Sequence, residues 1–409
     1  MQRTANSPQT AGSGSLFPAP KKASRSSMIV AGVLSVFLLL LPVPQLLSEA
    51  GIVRLPIRFD QAFLNAAADT AAFTLLALGL NIVVGYAGLL DLGYAAFFAI
   101  GTYSYAILAS SLFDLHVPFW IMLIVSGIIT ALFGVVFGAP TLRLRGDYLA
   151  IVTLGFGEIV PIFILNLDQL TGGTNGIAGV DKPAIGSIII GANNDNISFY
   201  YLGLLLIALV VFIINRLRDS RMGRAWMAIR EDELAAATMG INTTTAKLWA
   251  FGLGAALSGF AGTFYGSHLG FASPGQFSFS QSVLILCMVI LGGMGNLWGV
   301  MLGAVVIYLL QTVVLIQFPT WISNLAKDTD LDFLVNFNQN VRLTDYTFFI
   351  YGIILVLFML FRPEGLISSR RRKLELHPES EKISDQERQD LYDVRETNQS
   401  DTDVKGSQP

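Results

Sequence analysis

SFYYLGLLLIALVVFIIN occupies residues 198–215 without one Asp, Glu, Lys or Arg, and RLRDSRMGRAWMAIREDELAAATMGINTTTAK, residues 216–247, follows it directly. The first stretch approaches the ~20 apolar residues with which a helix crosses a hydrocarbon core. The second is charged and rich in helix formers. The same apolar-then-polar alternation recurs along the chain. Apolar segments fall at 28–47, 64–84, 92–111, 119–139, 148–166, 198–215, 248–268, 283–296, 298–317 and 346–361. Gly292-Gly293-Met294-Gly295 interrupts one continuous apolar run, so a re-entrant pair is the alternative to two crossings there. The expected fold is an all-α membrane protein: a polytopic bundle of about ten transmembrane helices, with broken or re-entrant segments.

Composition agrees. Of 409 residues 13% are charged, against about 25% in an ordinary soluble domain. The charges are also uneven, with 20 of the 55 in residues 362–409. The remaining body could not cover itself with polar surface in water. A conventional soluble enzyme is therefore excluded. The net charge of −3 gives no basic field for nucleic acid. Cys287 is the single cysteine, which excludes a disulfide framework and a cysteine zinc site. His116, His268 and His377 are far apart and form no ligand set. No metal or cofactor is expected.

Counting Lys and Arg orients the chain. With ten crossings and both termini cytoplasmic, 21 of the 26 basic residues fall inside and 5 outside, as the positive-inside rule requires. Removing the eighth or ninth segment would put the Arg-rich C-terminal end outside. Residues 1–27 read as a disordered cytoplasmic tail, 28–367 as the transmembrane domain and 368–409 as a second, charged tail. The start faintly resembles a signal peptide, but the apolar run favours a retained anchor. Loop 167–197, rich in Gly and Asn, is expected outside, and loop 216–247 inside. Gly85-Tyr86-Ala87-Gly88 and Gly259-Phe260-Ala261-Gly262 suggest an internal repeat.

Several residues stand out chemically. The inside loop predicts a helix over 226–240, ended by Gly240. Such a helix between two membrane segments can dock in a groove of a soluble partner; a loop that only sets topology is the alternative. Asp69 and Glu158 lie within spanning segments, where ionisable groups usually face a bundle interior or aqueous cavity. Asn81, Asp91 and Tyr94 flank a glycine-rich break that could present an unwound backbone to a ligand, or simply allow close helix packing. These five are candidates for the substrate pathway. Arg143, Arg145 and Asp147 stand at an inside boundary as candidates for the inner mouth, or as topology-setting charge. No GxxxxGK[ST] occurs, so the chain cannot cradle ATP phosphates in the P-loop manner.

Over about 80–367 the sequence resembles the permease subunits of ABC importers for branched-chain amino acids, specifically the longer of the two permeases. The stretches that carry it are LNIVVGYAGL (80–89), LRLRGDYLAIVTLGFGEIV (142–160), TGGTNGI (171–177), GRAW (223–226), REDE (230–233), GFAGT (259–263), LGGMG (291–295) and RPEGL (362–366). The resemblance implies transport by alternating access, with ATP hydrolysed by separate subunits. It implies a bacterial inner-membrane location, two ATPase partners, a second homologous permease and a periplasmic binding protein. It identifies the inside loop as the ATPase-coupling helix, with Arg224, Ala228, Arg230, Glu231, Asp232, Glu233, Ala235, Ala236 and Gly240 as its residues. Many ABC importers carry Glu-Ala-Ala, three residues, then Gly. Here Leu234 stands where that Glu would be. An ion-coupled secondary transporter and an ABC permease for urea or short amides are the alternatives. An intramembrane enzyme would need a convergent catalytic set, and the sequence offers none.

Overall fold

The computed structural model describes residues 61–141, 147–186, 188–191 and 196–315, together with 349, 352, 353, 356, 360 and 365–367. The expected tails, the first apolar segment (28–47) and most of the tenth lie outside the described residues. The five described positions between 349 and 360 are all helical.

Helix α1 (Gln61–Leu80) continues as a π-helical turn, Asn81–Tyr86. After a break comes α2 (Tyr94–Leu108), then the β1–β2 hairpin (Ala109–Ser110, Leu115–His116) and α3 (Phe119–Thr141). α4 (Asp147–Asn166) and the short α5 (Asp168–Thr171) lead into β3 (Ile177–Ala178), β4 (Ala184–Ile185) and β5 (Ile188–Ile189). α6 (Asn196–Arg218) ends at two loop helices, α7 (Arg221–Glu231) and α8 (Glu233–Thr238). α9 (Thr243–Leu269) returns to β6 (Phe271–Ala272). α10 (Phe279–Gly292) and α11 (Leu297–Leu309) close the described bundle.

α1 is apolar all round, and such a helix belongs in a core. Nearly all of it is buried, packed on α6, α9 and α11. α9 lies against α1, α2 and α3. A side chain at Gly101 of α2 would collide with Gly259 of α9, so the two backbones approach closely there. By contrast α3 and α4 are mostly exposed, with Ile124, Ile128, Leu132, Ile151, Ile162 and Phe163 facing outward. Apolar residues on that surface suit lipid or another membrane chain.

Five helices are long and apolar enough to cross a bilayer, and three shorter apolar helices accompany them. α10 has 14 residues, ~21 Å, less than a hydrocarbon core needs. Its shortness follows from its start. The turn Pro274–Phe277 carries the chain inward, and Phe277 is fully buried against Phe98 and Tyr103. The glycine run 292–295 is the turn joining the paired α10 and α11, and it lies at the α7 end of the bundle.

The described residues of loop 167–197 are folded over the opposite end. β3 pairs with β6 antiparallel, Ile177 opposite Ala272. Tyr105 donates to the Asp181 carbonyl at 2.7 Å, and Trp120 to that of Ala184 at 3.0 Å. The two similar glycine stretches do not occupy equivalent places: 85–88 ends α1, whereas 259–262 lies inside α9.

Candidate functional site

The expected single helix at 226–240 is two helices. Ser220 caps α7 by accepting from the Gly223 N–H. α7 buries one face and exposes the other. Trp226 is fully buried and its Nε1 donates to the Ala246 carbonyl at 2.6 Å; Gly223 and Ile229 lie beside it, while Arg224 and Glu231 point outward. Ala228 is half-buried against the core. At Asp232 the backbone turns extended, and its Oδ1 accepts from the N–H groups of Leu234 and Ala235, starting α8. The sequence concealed this break because Asp tolerates a helix interior yet caps one better.

α8 is fixed from below. Glu233 Oε1 lies 2.6 Å from Nζ of Lys247, which is 5% exposed in the second turn of α9. Ala236 is buried at 4%. Ala235 and Gly240 are exposed, Gly240 with φ +85° just past the helix end as expected. Leu234 (72% exposed) and Met239 (83% exposed) stand on the outer surface. The position that departs from the usual acidic residue thus presents an apolar side chain outward.

Arg230 points the other way. Its Nη1 donates to the Gly85 carbonyl at 2.6 Å, in the last turn of the π-helical segment. Asn81, fully buried, accepts from the Gly295 N–H at 2.8 Å. The Leu366 N–H donates to Leu291 at 2.8 Å, and Asn296 Nδ2 to the Ile367 carbonyl at 2.9 Å. Four stretches far apart in sequence, 80–89, 230–233, 291–295 and 365–367, therefore meet at one place.

The remaining candidates are scattered. Tyr94 donates to the Gly254 carbonyl at 2.8 Å, tying α2 to α9. Asp91 is buried; its Oδ1 accepts from the Gly93 N–H at 2.9 Å, and its Oδ2 has no partner among the described residues. Phe97, Phe137, Thr153 and Phe156 line a space beside it that holds about one water molecule, too little for an amino acid in this conformation. Asp69 lies toward the opposite end, accepting from the Tyr308 hydroxyl at 3.2 Å with His268 Nε2 3.6 Å away. Glu158 is exposed on α4 among outward-facing isoleucines. Arg143 and Arg145 lie outside the described residues, and so does the side chain of Asp147, which opens α4.

Sequence reading missed the Lys247–Glu233 ion pair and the Tyr308–Asp69 hydrogen bond. Each joins residues that no spacing rule relates. Among the described residues no cluster of His, Cys, Asp and Glu could hold a metal ion. At the β-strand end, His116 Nδ1 lies 2.7 Å from Asp181 Oδ2, and this contact raises the imidazole pKa above its ordinary value.

Residues 62–359 match the family described as branched-chain amino acid transport system / permease component. The chain is 39% identical over 341 residues to the high-affinity branched-chain amino acid transport system permease protein LivM of Salmonella typhimurium, covering 78% of this chain and 73% of that one. The LivM of Escherichia coli is 38% identical over the same length. LivH of Salmonella typhimurium is 26% identical over 265 residues, 61% of this chain and 83% of that protein. No solved structure matches.

Proposed function

The chain belongs to the family of permease components of branched-chain amino acid transport systems, and on that premise we propose how it works. It is a multi-pass membrane subunit of an ABC importer for branched-chain or other neutral amino acids, and ATP is hydrolysed on separate subunits. The α7–α8 loop docks an ATPase. Leu234 and Met239 are the apolar side chains that enter a groove of that partner, and Arg224, Glu231 and Asp232 are exposed on the same loop. Ala236, Trp226 and Lys247 hold the loop to the bundle. A homologous permease covers the α3–α4 face, where Glu158 would be expensive to leave in lipid. A binding protein delivers substrate at the end covered by residues 167–191. Both termini and the α7–α8 loop lie in the cytoplasm.

The observation that carries this reading is the rigidly anchored loop with two apolar side chains on its outer surface. A stand-alone transporter has no use for it. Reconstituted vesicles give the test. Leucine uptake should need ATP, the two ATPases, the second permease and the binding protein. Uptake by this chain alone on a proton or sodium gradient would overturn the reading. Uptake of urea in place of leucine would keep the machine and change its cargo.

A further inference from the structure

Anchoring alone does not account for the loop end of the bundle. Trp226 and the Glu233–Lys247 pair already fix α7 and α8 to the start of α9. Arg230 leaves that surface and reaches a different element, the π-helical turn that continues α1. The final carbonyls of a helix lack partners within it, and a cation there also meets the negative end of the helix dipole. A guanidinium on the Gly85 carbonyl satisfies both conditions.

The seat is built around that side chain. Gly88 has φ +71°, and a Cβ there would stand 2.8 Å from Arg230 Cγ. Gly295 has φ +81°, and a Cβ there would stand 3.2 Å from Arg230 Nη1. Side chains at either place would push the guanidinium out. At Gly85 a Cβ would collide with the Asn81 carboxamide, which already holds the Gly295 N–H. One arginine of the loop therefore closes on the end of α1, and that end is bonded to the α10–α11 turn.

We propose that Arg230 is the positioning residue that passes movement of the α7–α8 loop into the bundle, by gripping the end of α1 and, through Asn81 and Gly295, the α10–α11 turn. α1 runs through the buried centre to Asp69, which meets Tyr308 of α11 and His268 of α9. A pull at Gly85 thus acts on α1 and, through the turn, on α11, and these two helices meet again toward the far end at Asp69 and Tyr308. The proposal rests on the loop being the ATPase-docking element.

The test uses the complete transporter in proteoliposomes, measuring assembly, ATP hydrolysis and leucine uptake together. Arg230→Gln should assemble and hydrolyse ATP within about twofold of wild type, while uptake per ATP falls about tenfold, the scale of one charge-assisted hydrogen bond. Arg230→Lys, which keeps a donor and a charge, should restore part of that ratio. Gly88→Ala should lower the ratio in the same direction and add little to Arg230→Gln in the double variant. Wild-type uptake per ATP in Arg230→Gln overturns the proposal. So does a proportional fall of assembly, hydrolysis and uptake in both Arg230→Gln and Gly88→Ala, which would mark a purely structural role. A wild-type complex that imports leucine without hydrolysing ATP overturns the docking reading itself.

Discussion

Glu233→Gln should destabilise this protein more than Lys247→Met, although the two side chains share one ion pair. The Lys247 side chain is 6% exposed and that of Glu233 is 35% exposed, with 2.6 Å between Nζ and Oε1. Neutralising Glu233 leaves an ammonium inside the bundle with no counter-charge. Breaking a buried pair this way costs about 3–5 kcal/mol. Water reaching the half-open glutamate side reduces this to ~2 kcal/mol. Replacing Lys247 by Met removes the buried charge and fills its place with an apolar chain, while the carboxylate turns to water. That change costs ~1 kcal/mol or less. The double variant should resemble Lys247→Met alone, giving a coupling energy of ~2 kcal/mol in magnitude, the whole cost of Glu233→Gln. The assay is the midpoint of heat-induced loss of monodispersity for the purified permease. Equal or reversed destabilisation by the two single variants, or strict additivity, would refute the reasoning.

Other perturbations separate holding from docking. Leu234→Glu with Met239→Glu should leave membrane levels and thermal stability unchanged, because both side chains are exposed, and should abolish co-purification of the ATPases. Ala236→Asp buries a carboxylate at a 4% exposed site and should cost ~2 kcal/mol or more, seen as a lower thermal midpoint before any effect on transport. Glu158→Ala should reduce uptake while the ATPases still assemble; an unchanged uptake rate removes Glu158 from the pathway. His116 has a raised pKa owing to its hydrogen bond with Asp181. Its contribution is complete below the ordinary histidine pKa and fades as pH rises through the raised value. The Asp181 amide, which donates to Ala109 at 2.8 Å, should be more protected from hydrogen exchange at acid pH after correction for intrinsic rates. His116→Ala should abolish that difference.

Much of the bundle was legible because lipid leaves a chain few choices. Runs such as 198–215 must be helical to satisfy their backbone, and counting basic residues favoured an even number of crossings, with two passes or a re-entrant pair around the 292–295 glycines. The structure puts that turn at the α7 end. The positions of Gly85, Gly88 and Gly295 were readable as places of close approach. What approaches them was not. Arg230 lies 145 residues from Gly85, and periodicity within a helix carries no information about a neighbour so distant. The same blindness affected polar residues. Tyr94 and Asn81 looked like ligand contacts and are found tying helices together, since any buried polar group needs a partner whether or not a substrate exists. The break at Asp232 was hidden because the alanines on either side favour helix as strongly as the capping carboxylate favours a stop.

The central claim is that the surface carrying Leu234 and Met239 meets an ATPase. The most direct measurement places a photoreactive benzophenone side chain at position 239 and irradiates membranes that contain the whole transporter. The account predicts a covalent product joining this chain to the ATPase subunit, lost when the benzophenone is moved to an outward-facing position within the membrane span, such as 128 on α3. A product with lipid only, or none with the ATPase at either position, would contradict it.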